Sequence, residues 1–155
     1  MDQMTNSFTG KAMVVDDVPM VRGVLGAILK RMGFADILEA PDGVVAWTLL
    51  QKEEIALVVT DWNMPNMNGL DLVKKIRADE VLQDTRILMI TGEAFQVDPI
   101  EAINAGVDGF LTKPFKAATL QEHIGKVFRQ RKNGREKRHA SSNSVLKSKT
   151  LAIHY

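Results

Sequence analysis

Apolar residues in this chain follow two rhythms: short uninterrupted runs, and longer stretches in which they recur every three or four positions. The first run, Ala12-Met13-Val14-Val15, contains β-branched residues and stops on Asp16-Asp17, which predicts a buried strand. Val18, Val21, Leu25, Ile28, Leu29 and Met32 then predict an amphipathic helix, with Pro19 tolerated in its first turn and Gly33 closing it. A strand follows near Ile37 to Ala40, and a helix after Asp42-Gly43 carries Val44, Ala46, Trp47 and Leu50. Leu57 to Thr60 reads as another buried strand. Pro65, three Asn and Gly69 make Asp61 to Gly69 a loop, after which Leu70, Leu72, Val73 and Ile76 mark a helix ending near Arg77. Arg86 to Ile90 is the fourth strand. Asp98 and Pro99 suit the N-cap and first position of a short helix that runs through Ile100 and Ile103 to Gly106. Gly109-Phe110-Leu111 forms a brief fifth strand. Ala117 to Arg131, with Leu120, Ile124, Val127 and Phe128 on one face, closes the domain.

Strands that are apolar throughout need cover on both faces, and right-handed crossover helices supply it. The pattern therefore predicts an α/β fold, a doubly wound five-stranded parallel sheet. Ligands of such sheets bind beyond the carboxyl ends of the strands, where the strand order reverses. That rule gathers Asp16 and Asp17 after strand one, Asp61 after strand three, Thr91 after strand four and Lys113 after strand five. The expected organisation is a flexible segment over 1–10, one domain over 11–131, and a tail over 132–155 with no separate output domain.

Composition narrows the chemistry. With 155 residues, 45% of them apolar and 25% charged, the chain suits one core. It has no cysteine, so thiol nucleophiles, disulfides and thiolate metal sites are excluded and any metal must take oxygen or imidazole ligands. No apolar run approaches the roughly 18 residues of a membrane span, and Met1 to Gly10 lacks an export pattern, so a cytoplasmic location is expected. Charge is uneven: 12 Lys/Arg against 18 Asp/Glu up to Phe128, then 8 against 1 from Arg129 onward. A basic tail on an acidic body is expected to modulate partner binding, with Val145-Leu146 and Leu151 to Ile153 able to dock weakly. Without interleaved aromatics or an amphipathic basic helix, neither nucleic acid nor membrane is the expected partner.

A single Asp after a strand is usually a helix cap. Three carboxylates converging at one sheet edge repel one another, however, unless a cation sits among them. An oxygen-only site with open positions suits Mg²⁺, with Mn²⁺ as the other hard cation considered. A carboxylate beside such an ion can act as nucleophile toward phosphorus while the cation and Lys113 offset charge on the equatorial oxygens. Asp61 is best placed for this, at the tip of the third strand and at the start of a loop whose backbone carbonyls can serve the metal. Pro114 could fix the direction of Lys113 through a cis bond.

The acidic pair of VVDD, the segment TDWNMPNMNGLDLVKKIR, ITGEA and GFLTKPF resemble the receiver domains of two-component response regulators, of the CheY-like chemotaxis type. The resemblance covers about Lys11 to Phe128. It implies the flavodoxin-like (βα)5 sandwich and a single-domain response regulator phosphorylated on Asp61 by a CheA-type histidine kinase. Asp17, Asp61 and the backbone carbonyl of Asn63 would hold Mg²⁺, and Asp16 would reach it through water. Thr91 and Lys113 would bind the phosphoryl oxygens. Thr91 and Phe110 would act as the switch that alters the face of helix four, strand five and helix five, where a flagellar motor switch or a phosphatase would dock. Asn63 and Glu93 would tune dephosphorylation, giving a short phosphate lifetime. Such a protein is not an enzyme in the ordinary sense, although it catalyses its own phosphorylation and dephosphorylation. Phe110 departs from the frequent Tyr of the family.

Three other readings stand against the motifs, the first of them the serious competitor. A stand-alone receiver in a phosphorelay outside chemotaxis would share every motif. A Mg-dependent aspartyl-phosphate phosphatase of the haloacid-dehalogenase kind would need a second Asp two residues after the nucleophile, where this chain has Asn63. A flavodoxin-like cofactor binder would need a Ser/Thr/Gly-rich phosphate loop after strand one, and Asp16-Asp17 stand there instead.

Overall fold

Ala12 and Val14 of the first strand pack on one side of the sheet, while Met13 and Val15 pack on the other, so the period-two alternation of a strand buries apolar groups on both faces. In the computed structural model, which describes residues 8–92 and 98–130, five such strands form one parallel sheet. They are β1 (Lys11–Val15), β2 (Asp36–Ala40), β3 (Leu57–Thr60), β4 (Arg86–Thr91) and β5 (Gly109–Thr112), in the order β2-β1-β3-β4-β5. The helices between them are α1 (Pro19–Arg31), α2 (Gly43–Leu50), α3 (Gly69–Ala78) and α4 (Pro99–Ala105). A closing helix, α5, runs from 117 to 130. Thr91 is the last residue of β4 rather than the first after it.

α1 and α5 cover one face, with Leu25, Ile28, Leu29, Leu120, Ile124 and Val127 against Ala12, Val14, Leu57, Val59, Leu88 and Ile90. The other face is covered from α2, α3 and α4, with Ala46, Leu50, Leu72, Val73, Ile76 and Ala102 against Met13, Val15, Val58, Ile87 and Met89. Val18 and Val44, expected on the inward stripes, are 44% and 46% exposed. Val18 is the N-cap residue ahead of α1, and the inward side of α2 is set by Gly43, Ala46 and Leu50, which turns Val44 outward.

The helix ends follow local chemistry. Pro19 and Pro99 occupy first-turn positions, the side chains of Asp42, Asn68 and Asp98 accept a backbone N–H of their own helices, and Gly106 ends α4 at φ 114°. Phe8, within the segment expected over 1–10, is buried, stacked on Phe34 at 5.5 Å and edge-on to Phe128 at 5.1 Å. Residues 1–7 and the tail over 132–155 lie outside the described residues. The domain boundaries and the role of the tail stay expectations.

A part-buried ion pair ties α3 to the second half of the sheet. Arg77 donates to Asp108 at 2.9 Å and to the carbonyls of Gln83, Thr85 and Gly106, and Asp108 also accepts the Ile87 N–H. Asp108→Ala removes the ion pair and the acceptor of the Ile87 N–H, so it should lower unfolding stability by roughly 1–3 kcal/mol. Glu53→Ala at the more open Lys11–Glu53 pair should cost clearly less. Urea denaturation of the two variants checks the contrast.

Candidate functional site

The strand order reverses between β1 and β3, which run parallel with Val15 beside Thr60, so the residues that follow them meet at one edge of the sheet. Asp16 follows β1 and Asp61 follows β3. Ligand oxygens of Asp16, Asp17 and Asp61 lie within 4.8 Å of one another. Asp16 and Asp61 are buried and Asp17 is exposed, which gives the cluster an inner wall and an open side. Among the described residues this is the only such acidic or imidazole cluster.

Lys113 reaches the cluster from the far end of β5. Its ammonium lies 3.0 Å from Asp16 Oδ2 and 3.6 Å from Asp61 Oδ2. The stem crosses β4 just past its end, where a Cβ on Gly92 would stand 3.6 Å from Lys113 Cδ. The Lys113-Pro114 peptide is cis. Lys113 N–H donates to the Thr91 carbonyl, which sets the end of β5 against the end of β4. Thr91 is fully buried at that edge, in register with Thr112.

Backbone contacts fix the carboxylates. Asp16 Oδ1 accepts the Val18 N–H at 2.9 Å, the Asp16 carbonyl accepts Arg22 Nη1 at 2.7 Å, and Arg22 is itself held by Glu39. Asp61 Oδ1 accepts its neighbour's amide, Trp62 N–H, at 2.7 Å. Behind Asp61 the chain folds back so closely that a Cβ on Gly69 would run into the Asp61 carbonyl oxygen, and Gly69 N–H donates to the Trp62 carbonyl. Only glycine fits there. Burial pushes the Asp61 carboxyl above its ordinary pKa. The Lys113 ammonium opposes the rise, Asp16 adds to it, the Trp62 N–H opposes it, and Asp17 adds again.

Asn63 sits exposed on the loop two residues beyond Asp61. Phe110 is half-buried on β5 opposite Met89, packed into the core on the α2, α3 and α4 side. Glu93 lies outside the described residues. Sequence reasoning missed Arg22, Asn66 and Gly69. For Gly69 the available signal was its position at the end of an Asn-rich loop; Arg22 announces itself only through a contact that folding creates.

The donor set is all oxygen, on a short arc with one solvent-facing side, which suits a hard divalent cation that keeps part of its water shell. In addition, the Lys113 ammonium places a positive charge where anionic oxygens of a phosphoryl group would meet the carboxylates.

Comparison with known proteins agrees with this geometry. The profile of the response regulator receiver domain matches residues 12–125. Chemotaxis protein CheY-3 of Vibrio cholerae is 48% identical over 118 residues, which span 76% of this chain and 91% of that one. The solved structure of chemotaxis response regulator CheY4 of Vibrio cholerae superimposes with a TM-score of 0.70 at 32% identity, over 77% of this chain and 99% of that one. A receiver domain of a Pseudomonas aeruginosa sensor histidine kinase, solved with a magnesium ion coordinated in its active site cleft, gives a TM-score of 0.65 at 28% identity, over 72% of this chain and 91% of that one.

Because its pKa is raised on folding, Asp61 holds its proton in the folded state to a higher pH than in the unfolded chain. The folded state then binds more protons through the window just above the unfolded carboxylate value. Stability of the metal-free protein falls as pH rises through that window and stays lowered above it. Asp61→Asn removes the ionisation. Its metal-free melting temperature at neutral pH should rise by several degrees, at roughly 2–8 °C per kcal/mol recovered, and the gap from the native protein should close toward pH 4. Calorimetry in chelator across pH checks both.

Proposed function

Since the chain belongs to the response regulator receiver family, we propose that it is a single-domain response regulator that takes a phosphoryl group onto Asp61 from a histidine kinase and signals through phosphorylation-dependent protein contact in chemotaxis. The observation that carries this reading is the Lys113 ammonium set against Asp16 and Asp61 at the switch point of the sheet. The similarity to chemotaxis proteins supports the pathway.

In the proposed transfer, Asp61 Oδ2 attacks phosphorus as the bond from phosphorus to the donor's imidazole nitrogen breaks, and the imidazole leaves with that electron pair. Trp62 N–H, on Oδ1, holds the carboxylate in one orientation. Lys113 balances the charge that gathers on the transferred oxygens, and Thr91 lies at the neighbouring strand end to donate to one of them. Asp16, Asp17, Asp61 and the Asn63 carbonyl would hold Mg²⁺, which neutralises the acidic cluster and the incoming phosphoryl group; Mn²⁺ has the same preference for oxygen and should substitute.

Phosphorylation redirects Lys113 and Thr91 toward the new oxygens. Phe110, on the strand next to Thr91 and only half-buried, is the side chain free to follow into the space that Thr91 leaves. The altered face is that of α4, β5 and α5, where a flagellar motor switch protein or a phosphatase would dock. Asn63 and Glu93 would set how readily water reaches the phosphoryl group. The catalysis is confined to the domain's own phosphorylation and dephosphorylation.

Two measurements test this. With Trp47→Phe leaving Trp62 as the single indole, Mg²⁺ should change the fluorescence in a saturable way. Asp17→Asn should weaken that response by about tenfold or more in concentration, and an unchanged titration would sink the metal assignment. Acetyl phosphate with Mg²⁺ should give a base-labile adduct, located by mass spectrometry on Asp61. An adduct elsewhere would refute the acceptor.

A further inference from the structure

The loop over residues 61–69, which carries Asn63, leaves β3 and returns at the start of α3. Its two ends are joined where Gly69 meets Trp62 and Asp61. Its crest has a separate anchor. Asn66 Nδ2 donates to Asp42 Oδ2 at 2.7 Å, and Gly43 N–H donates to the Met67 carbonyl at 3.0 Å. Both anchors come from the first turn of α2, the helix that follows β2 at the edge of the sheet.

Asp42 is more than a helix cap. Its Oδ1 accepts the Val45 N–H at 2.9 Å, the expected cap, while Oδ2 is spent on the loop. The residue is buried, and the Val45 N–H followed by the Asn66 amide holds its pKa below the ordinary value, so it stays charged at neutral pH. A hydrogen bond to a charged acceptor is stronger than one between neutral groups. Asn66 stands at φ 69°, a left-handed conformation that Asn tolerates better than most residues, and the bond to Asp42 holds it there. Gly43 lets the loop come close: a Cβ at that position would lie 2.6 Å from the Met67 carbonyl oxygen. Within the loop, Met67 N–H donates to the Pro65 carbonyl at 2.7 Å, and Met64 is buried in the core below. Residues 64 to 67 are thus held from both sides, and Asn63 is the exposed link between Met64 and Trp62.

We propose that Asp42 and Asn66 are positioning residues for the metal and phosphoryl site, a clamp from α2 that fixes the backbone at Asn63 so that its carbonyl stands in place beside Asp61. The inference rests on the functional reading given above, in which the Asn63 carbonyl is a metal ligand. It adds that metal affinity is set partly by a helix that contributes no ligand. An outer partner that orients a ligand commonly governs metal affinity by roughly 10–100-fold.

Two substitutions separate the clamp from ordinary structure. Asp42→Ser keeps an oxygen to cap Val45 while losing the reach to Asn66. Asn66→Gly keeps the left-handed turn at no steric cost while losing the donor, so it should fold even where the Asp42 variant does not. Both are made in the Trp47→Phe background together with the double variant, and Mg²⁺ affinity is read from Trp62 fluorescence. Metal-free unfolding and the rate of phosphorylation by acetyl phosphate are measured on the same proteins. Each single variant should weaken Mg²⁺ binding about tenfold, with the double variant no worse than either. Saturating Mg²⁺ should restore most of the phosphorylation rate. If Asn66→Gly binds Mg²⁺ as the parent does, or if the two losses add in full, the clamp is refuted and Asp42 is a helix cap only. A different failure, an Asp17→Asn protein that binds Mg²⁺ normally, would overturn the metal site itself rather than the clamp.

Discussion

Negative charge crowded at one edge of the sheet is the constraint around which this molecule is arranged. Asp16, Asp17 and Asp61 bring ligand oxygens within 4.8 Å of one another, two of the three carboxylates being buried. Burial raises the cost of ionising Asp61, and the like charges of Asp16 and Asp17 add to it. The protein offsets the cost in part, through the Lys113 ammonium and through N–H groups turned onto Asp16 and Asp61. The upward shift of the Asp61 pKa shows that the offset is incomplete. A site left short of positive charge has an affinity for a hard cation and becomes a better anion acceptor once that cation is bound.

The geometry that maintains this imbalance comes from ordinary packing. Parallel strands apolar on both faces hold the strand ends in register, helices on both sides lock them, and the ion pair of Arg77 and Asp108 fastens α3 to the β4 and β5 side. The Arg77–Asp108 pair touches none of the three carboxylates. The stabilisation from this packing supports a local arrangement that would spread apart on its own.

Much of this was legible in the sequence because the signals were local. Runs such as Leu57 to Thr60 and spacings such as Leu25, Ile28 and Leu29 report burial directly, and Asp98-Pro99 or Gly106 report helix ends. Strand-end acidic residues and Lys113 could be brought together because the topology of doubly wound sheets is restricted. What escaped was long-range or backbone-borne. Phe8 precedes the first strand and reads as part of a polar terminus, yet two aromatics from distant segments enclose it. The bond between Asn66 and Asp42 joins residues 24 apart with no periodic pattern between them. Asp42 does carry a recognisable local signal as a cap, and that signal hides its second use.

The contact between Lys113 and Asp16 joins residues 97 apart in the chain. Between them lie β2, β3, β4 and β5, and Asp61 sits near the middle of that span. No fragment ending before β5 can contain the charge arrangement, and a molecule in which the last strand has come loose loses it at once. The paired charges at Asp16 and Asp61 thus report on the docking of β5: they exist only in a chain whose last strand has found its place.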